Sequence, residues 1–259
     1  MNLSIIVPVY NSAKILRVLV KKIKKNLKTK NYEIIFINDA SLDNSWNEIK
    51  KISKKNKRIK GINLSENFGQ HSAIFAGLKY AKGKKIITMD DDLQHPPESI
   101  EDILSKLNKY DLCYTIYLKR KHTFWKRFVS WVNNIFSSLL FDKPIHIYLS
   151  SFRGFNRKLL NKIVKDRNSI VFIDGLLLKY AKKICTIKVR HKKRFSGDSN
   201  YKLKNLFSLW FDMISNYHFY PIRIGSFIGL FSKIIILLIR ILSRKNKVVQ
   251  YRIKETSFE

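Results

Sequence analysis

The chain predicts an α/β fold with a mostly parallel sheet and helices on both faces. Three observations carry this. Short Ile- and Val-rich runs of strand length alternate with segments of helical periodicity over residues 1–118, and such alternation marks βαβ units. A length of 259 residues is enough for one large domain with a full core. Polar residues gather where the apolar runs end, at Tyr10-Asn11, Asn38-Asp39, Ser65-Glu66-Asn67 and Asp90-Asp91-Asp92. Open α/β sheets bind their ligands at those strand ends.

Leu3–Val9 is a continuous apolar run and reads as a buried strand. Ala13–Leu27 follows, with Ile15, Leu16, Leu19, Ile23 and Leu27 at helical spacing. Tyr32–Ile37 reads as the second strand, Ser45–Asn56 as a polar-faced helix, Ile59–Leu64 as the third strand and Ser72–Ala81 as the third helix. Lys84–Met89 is the fourth strand. Pro96–Leu107 reads as a helix with proline in its first turn, where the missing N–H costs nothing. Leu112–Leu118 is the fifth strand.

The character then changes. Phe124–Leu140 places Trp125, Phe128, Val129, Val132, Ile135, Phe136 and Leu139 on one side, and Ser208–Tyr217 adds Leu209, Trp210, Met213 and Tyr217. Both predict amphipathic helices whose aromatic faces suit either a core or a membrane interface. Ile222–Leu242 is 21 residues long, near the length that spans a bilayer. It carries Arg223, Lys233 and Arg240, and a charge at the centre of a lone span costs about 2.5–3.5 kcal/mol. A helix lying in the interface, or packed on a partner, is therefore favoured over a free span. Ser226, Lys233 and Arg240 recur every seven residues, which permits helix pairing and a homo-oligomer. Ser243–Glu259 is expected to be a loose basic tail.

The chain carries 51 Lys+Arg against 19 Asp+Glu, a formal charge of +32. Its 45% hydrophobic and 13% aromatic content excludes a disordered polycation. Two cysteines, Cys113 and Cys185, exclude a disulfide scaffold. The apolar run at the N-terminus lacks the charged lead of a signal peptide, so a cytoplasmic start is expected. The charge calls for a polyanion, an anionic membrane or a phosphorylated substrate, although an AT-rich coding sequence also enriches Lys, Asn and Ile. No RNA-binding aromatic motif or helix-turn-helix pattern points to specific nucleic acid. The Lys192-Lys193-Arg194 and Arg244-Lys245-Asn246-Lys247 runs lie beside the apolar helical segments and favour an anionic membrane surface as partner. The absence of Gly-x-Gly-x-x-Gly and of a phosphate-loop motif argues against a dinucleotide dehydrogenase or P-loop ATPase.

The strongest local signal is Asp90-Asp91-Asp92-Leu93-Gln94-His95-Pro96-Pro97-Glu98. On an extended strand end, Asp90 and Asp92 point to one side and Asp91 to the other. With the Gln94 carbonyl nearby they form a hard oxygen site for Mg²⁺ or Mn²⁺, with positions open to phosphate oxygens. The same residues suit a solvated acidic turn that caps the next helix. Asp39 suits a contact to a base N–H, or a turn and cap before the helix at 45–56. The six histidines show no metal-ligand spacing.

The motifs SIIVPVYN, INDASLDNS, ENFGQHSAIFAGLKYAKG and MDDDLQHPPE, in this order, resemble a family 2 glycosyltransferase with the GT-A fold. The QHPPE form, with SSFRGFNRK, RHKKRFSGDSNYKLKNL and FYPIRIGSFIG downstream, is similar to the dolichyl-phosphate mannose synthase-like branch, over about residues 2–230. The resemblance implies transfer of a sugar from a UDP- or GDP-linked donor to a polyprenyl phosphate at the cytoplasmic membrane face. It implies that Pro8, Tyr10 and Asn11 line the nucleoside pocket and that Asp39 contacts the base. Asp90, Asp92 and Gln94 would hold the cation, Mg²⁺ or Mn²⁺, on the donor diphosphate. Arg153, Arg190 and Arg194 would face the phosphates, with Ser199 and Tyr201 in the same acceptor segment. Asp90, Asp92 and Arg153 are thus the expected catalytic residues. The implied division is a nucleotide-sugar half at 1–118, an acceptor half at 119–218, a membrane-associated helix at 219–243 and a basic tail at 244–259. An acceptor phosphate is already an anionic nucleophile near neutral pH, so it needs orientation by arginine forks more than a base; direct displacement inverts the anomeric centre. Several positions depart from the branch: Ser12 and Ala13 stand where relatives have acids, Asn38 where they have Asp, Ala40 where they have Gly, and Asn200 where they have Lys. Ser151 replaces an acid before Phe152-Arg153, a loss that matters less for a phosphate acceptor than for a hydroxyl. Two alternatives stay open: a family 2 enzyme acting on a saccharide hydroxyl, and a non-catalytic basic membrane-binding protein that kept the fold.

Overall fold

The computed structural model describes residues 1–118, 138, 144, 147–166, 172–190 and 251–258. They form one eight-stranded sheet flanked by helices. The strands are β1 (Leu3–Val9), β2 (Tyr32–Asn38), β3 (Ile59–Leu64), β4 (Lys85–Thr88), β5 (Leu112–Leu118), β6 (Arg153–Asn156), β7 (Ile184–Arg190) and β8 (Ile253–Thr256). The helices are α1 (Leu16–Asn26), α2 (Ser45–Lys55), α3 (Gln70–Tyr80), α4 (Ile100–Lys106), α5 (Arg157–Lys165) and α6 (Ile173–Tyr180). The strand order is β7-β5-β6-β4-β1-β2-β3-β8. β1 pairs in parallel with β2 and β4, β2 with β3, and β5 with β7. β6 is antiparallel to both β4 and β5, and β8 is antiparallel to β3.

The five strands expected from the apolar runs all form, as does a helix in each expected interval. All seven residues of β1 and of β2 are buried, as a central strand covered on both faces must be. The pleat splits their side chains between two cores. Ile6, Ile35 and Ile37 pack with α3, α5 and α6 on one face. Ile5, Val7, Ile34 and Phe36 pack with α1, α2 and α4 on the other. Each fully buried Ile, Val or Phe contributes roughly 1.5–3 kcal/mol, so these two layers hold the sheet. The segment expected as a helix from Pro96 opens instead as a 3₁₀ turn, Pro97–Ser99, before α4.

One polar group interrupts β2. Glu33 is buried, and its carboxylate accepts from Ser4 Oγ at 2.6 Å, Lys60 Nζ at 2.7 Å and the Lys82 N–H at 2.6 Å. Burial opposes its ionisation, but Lys60 and the other two donors outweigh it and hold the carboxyl below its usual range. Gly83 closes over this group; a Cβ there would stand 2.4 Å from the Ser4 backbone nitrogen.

The expectation of a loose tail is corrected for residues 251–258. Ile253–Thr256 adds β8 to the edge of β3, in the register Ile62↔Thr256 and Asn63↔Glu255. Tyr251, Ile253 and Phe258 pack on the α3 side of the core. Glu255 accepts from Trp46 Nε1 at 2.7 Å, and Ser257 exchanges bonds with the Gly61 backbone. The strand is four residues long and carries Lys254 and Glu255 outward, a common way of ending a sheet without inviting further pairing. Its signal in the sequence is short: only Tyr251 and Ile253 alternate, among Arg252, Lys254 and Glu255.

Among the described residues no helix is long and apolar enough to cross a membrane. The helices expected at 124–140 (Ser138 apart), 208–217 and 222–242 lie outside the described residues, as do the 192–194 and 244–247 basic runs.

Candidate active site

The ends of β1, β2 and β4 converge, and each turns through a non-glycine residue in the left-handed region: Asn11 (φ 54°), Ala40 (φ 51°) and Leu93 (φ 63°). Such a conformation costs an L-residue about 1–2 kcal/mol, and clustered strain of this kind marks functional sites. Here it is held by interlocking loops. The Asn11 N–H donates to Ser41 Oγ at 3.0 Å, and Asn11 Oδ1 accepts from the Leu42 N–H at 2.8 Å. The Ser12 N–H donates to Ser45 Oγ and the Ala13 N–H to Asp43 Oδ2. Tyr10 stands at the mouth, 42% exposed, while Pro8 is buried within β1.

Asp39 does not stand open to a ligand. It is 4% exposed, and its two carboxylate oxygens accept the Phe68 N–H at 2.8 Å and the Gly69 N–H at 2.9 Å. Burial pushes its pKa up, with those two bonds opposing. The carboxylate thereby clamps the loop that enters α3, where Gly69 takes φ 83°, a conformation only glycine adopts freely.

That clamp sets the next contact. Gln70, the first residue of α3, donates from Nε2 to Asp90 Oδ1 at 2.6 Å. Ser151 Oγ donates to Asp90 Oδ2 at 2.8 Å. The Asp90 N–H donates to His95 Nδ1 at 2.9 Å, which assigns the His95 proton to Nε2, 3.5 Å from Asp90 Oδ2. His95 is buried and stacks on Phe152 at 5.1 Å. Asp92 is buried and accepts the Gln94 N–H at 3.0 Å. Asp91 instead accepts the Tyr10 N–H at 3.3 Å. Burial raises the Asp91 carboxyl to about 7, against the bonds from Ser12 and Tyr10 and with the help of Asp90.

Because β6 runs antiparallel to β4, its first residue, Arg153, lies opposite Thr88, two positions before Asp90. Arg153 is 1% exposed and pairs with Asp174 on α6. Tyr114 on β5, opposite Arg153, donates its hydroxyl to Asp174 Oδ1 at 2.9 Å. Burial disfavours the Arg153 charge, but Asp174, Tyr114 and Asp90 together raise its pKa. His71, next to Gln70, packs on Phe172 with ring centroids 4.9 Å apart. Burial lowers its pKa to about 4, so it is neutral near pH 7. Arg153 Nε and His71 Nδ1 are buried without a hydrogen-bond partner among the described residues.

The structure thus brings Tyr10, Asn11, Asp90, Asp92 and Gln94 to the strand ends and buries Pro8, Asp39 and Arg153 beneath them. Arg190 ends β7, with its side chain outside the described residues; Arg194, Ser199 and Tyr201 lie outside them altogether. Sequence reasoning missed Gln70, His71, His95, Tyr114 and Asp174. Asp174 left a signal: a lone carboxylate in the apolar run IVFIDGLLL needs a buried partner. Among the described residues no group of three His, Cys, Asp or Glu side chains is placed to hold a metal. Two carboxylates fit a divalent cation that takes its remaining oxygens from a phosphate ligand, and Gln70 and Ser151 hold one of them in place.

Comparisons with known proteins bear on the family and the fold. Residues 4–164 match the family model of glycosyl transferase family 2. An uncharacterized glycosyltransferase, YkcC of Bacillus subtilis (strain 168), is 32% identical over 231 residues, covering 88% of this chain and 72% of the relative. The undecaprenyl-phosphate 4-deoxy-4-formamido-L-arabinose transferase of Yersinia enterocolitica serotype O:8 / biotype 1B is 32% identical over 232 residues, covering 88% of this chain and 71% of the relative. Among solved structures, glucosyl-3-phosphoglycerate synthase from Mycobacterium tuberculosis, in complex with Mn²⁺, UDP and glucosyl-3-phosphoglycerate, matches with a TM-score of 0.59. Its identity is 16%, over 83% of this chain and 77% of that one. S. aureus TarS 1-349 matches with a TM-score of 0.53 at 20% identity, over 85% and 67% of the two chains. These two share the fold, a GT-A-like mixed sheet with helices. The chain belongs to glycosyl transferase family 2 and is a glycosyltransferase.

Proposed function

We propose that this glycosyltransferase moves a sugar from a UDP- or GDP-linked donor to a polyprenyl phosphate at the cytoplasmic face of a membrane, with inversion at the anomeric carbon. The observation that carries the reading is Asp90, fixed at the end of β4 by Gln70, Ser151 and His95. Unlike Asp39, the Asp90 side chain keeps 28% exposure while bonded on both oxygens, so it is held in place with access to a ligand. The relatives support the acceptor, since the Yersinia protein's name specifies undecaprenyl phosphate.

In this reading Tyr10 offers its exposed ring to the base, and Asn11 shapes the pocket by locking the β1 and β2 loops together. Asp39 acts through the Phe68–Gly69 loop. Asp90, Asp92 and Gln94 hold Mg²⁺ or Mn²⁺, which, when bound, stabilises the charge that develops on the leaving diphosphate. Arg190 and Arg194 orient the acceptor phosphate through forked bonds, with Ser199 and Tyr201 in the same acceptor segment of the sequence, and Arg153 stands behind Asp90, paired with Asp174. Ser151 occupies the place of a family acid and instead donates to Asp90, so the site is arranged for an acceptor that arrives ionised. The basic runs and aromatic segments bring the enzyme to an anionic surface, where each Lys or Arg contributes about 1 kcal/mol.

The test offers labelled UDP- and GDP-sugars with Mg²⁺ or Mn²⁺ to undecaprenyl phosphate or to free saccharides. Label entering the organic phase only with the lipid phosphate, with inverted configuration, is the expected result. Transfer to saccharides alone would move the enzyme to the hydroxyl-acceptor class.

A further inference from the structure

Asp174 has no place in the transfer described above, yet it is buried in α6, between Arg153 and Tyr114. A buried ion pair is a poor source of stability, because desolvation of both charges cancels most of their attraction. Two further observations set it apart from ordinary core. Arg153 retains an unpartnered Nε beside it. Arg153, Asp174, Asp90 and His71 also act on one another electrostatically, so they form a single cluster. His71 is uncharged in it. Asp92 follows Asp90 by two residues, so the carboxylates of Asp90, Asp92 and Asp174 are set against the single Arg153 guanidinium.

We propose that Asp174 is a positioning residue: it draws Arg153 away from Asp90 and cancels its charge, so that Asp90 and Asp92 present the two negative charges a divalent cation needs. This rests on the reading of Asp90 and Asp92 as cation ligands. Without Asp174, the Arg153 guanidinium turns its freed N–H groups to Asp90, which then competes less well for the cation. Tyr114 supports the arrangement by donating to the same Asp174 oxygen that receives Arg153.

The experiment measures Mn²⁺ binding to the full chain by electron paramagnetic resonance, with whichever of UDP and GDP the wild-type protein binds. Asp174→Asn weakens Mn²⁺ binding by about tenfold or more, as expected for one charge removed from a low-dielectric site. Asp174→Glu stays within about threefold of wild type, because the charge is kept. Arg153→Met, which removes the opposing charge, binds Mn²⁺ no more weakly than wild type. The double variant Arg153→Met/Asp174→Asn restores the charge balance, keeps the fold by removing the pair together, and returns to within about threefold of wild type. That double variant carries the test even where Asp174→Asn alone does not fold. A purely structural role predicts that every substitution weakens binding alike, and that outcome overturns the proposal. Asp174→Asn indistinguishable from wild type also overturns it, while leaving the transfer reading intact. Wild-type protein that binds Mn²⁺ with neither nucleotide overturns both.

Discussion

Replacing Asp39 separates two roles that the sequence alone leaves together. A carboxylate that reads a base N–H can be changed with little effect on the fold. A carboxylate that accepts the Phe68 and Gly69 N–H groups at 2.8 and 2.9 Å cannot. A hydrogen bond to a charged group contributes about 1.5–3 kcal/mol. Asp39→Ala removes two, and relief from burying a charge offsets part of the loss, for a net cost of about 3 kcal/mol. Asp39→Asn keeps one acceptor oxygen and turns an amide donor on the other N–H, which costs about 1–2 kcal/mol. For a chain of this size each kcal/mol moves Tm by about 2–4 °C, so the alanine variant melts about 6–12 °C lower. The loss also reaches the site, because the clamped loop delivers Gln70 to Asp90. The assay pairs thermal and urea unfolding with nucleotide binding. Expected are a lower Tm and weaker binding of both UDP and GDP. An asparagine variant with wild-type Tm, whose only change is in the preference between the two bases, would refute the clamp.

Other consequences are equally direct. His71 has its pKa lowered from 6.5 to about 4, so between those values the unfolded chain binds a proton that the folded one does not. Stability is therefore full above pH 6.5 and falls as pH drops toward 4, by at most about 3 kcal/mol. His71→Phe removes that slope; an unchanged urea midpoint profile against pH would count against a buried neutral imidazole. Deleting residues 251–259 strips Tyr251, Ile253 and Phe258 from the core and bares the β3 edge. It should cost about 3 kcal/mol or more by area lost and raise aggregation, checked by calorimetry and light scattering; a wild-type Tm would mean the strand is not docked in solution. Gly83→Ala presses a methyl against the Ser4 backbone and should destabilise by about 1–3 kcal/mol, whereas Gly69→Ala meets no neighbour within 4 Å but must hold φ 83° with ψ 161°, a region open essentially to glycine alone, at a cost of about 1–3 kcal/mol from backbone strain.

What the sequence made legible follows from how each signal is written. β1 to β5 were visible because a doubly covered strand is a continuous apolar run, as in SIIVPV and YEIIFIN. β6 was not, because Arg153-Gly154-Phe155-Asn156 has one large apolar residue; its place is set by Gly154, where a Cβ would stand 2.3 Å from Ile103. β8 was hidden under the basic composition around it. Asp90 and Asp92 were legible from a local spacing. Their supports were not, since Gln70 reaches Asp90 from the start of α3 and Ser151 from just before β6, 20 and 61 residues away in the chain. Asp39 shows the limit most clearly. Its location at a strand end was readable, but the partner that takes its oxygens lies 29 residues on.

The central claim is that Asp90 and Asp92 support sugar transfer to a lipid phosphate. The most direct measurement is the rate of sugar transfer from the donor to undecaprenyl phosphate in vesicles, for wild type and Asp92→Ala, with Mn²⁺ and with chelator. Expected are transfer by wild type that chelator abolishes, and a loss of about a hundredfold or more in Asp92→Ala, the scale that follows when charge stabilisation of the leaving group is removed, with Tm held within a few degrees. Undiminished transfer by a folded Asp92→Ala protein, or by wild type in chelator, would contradict it.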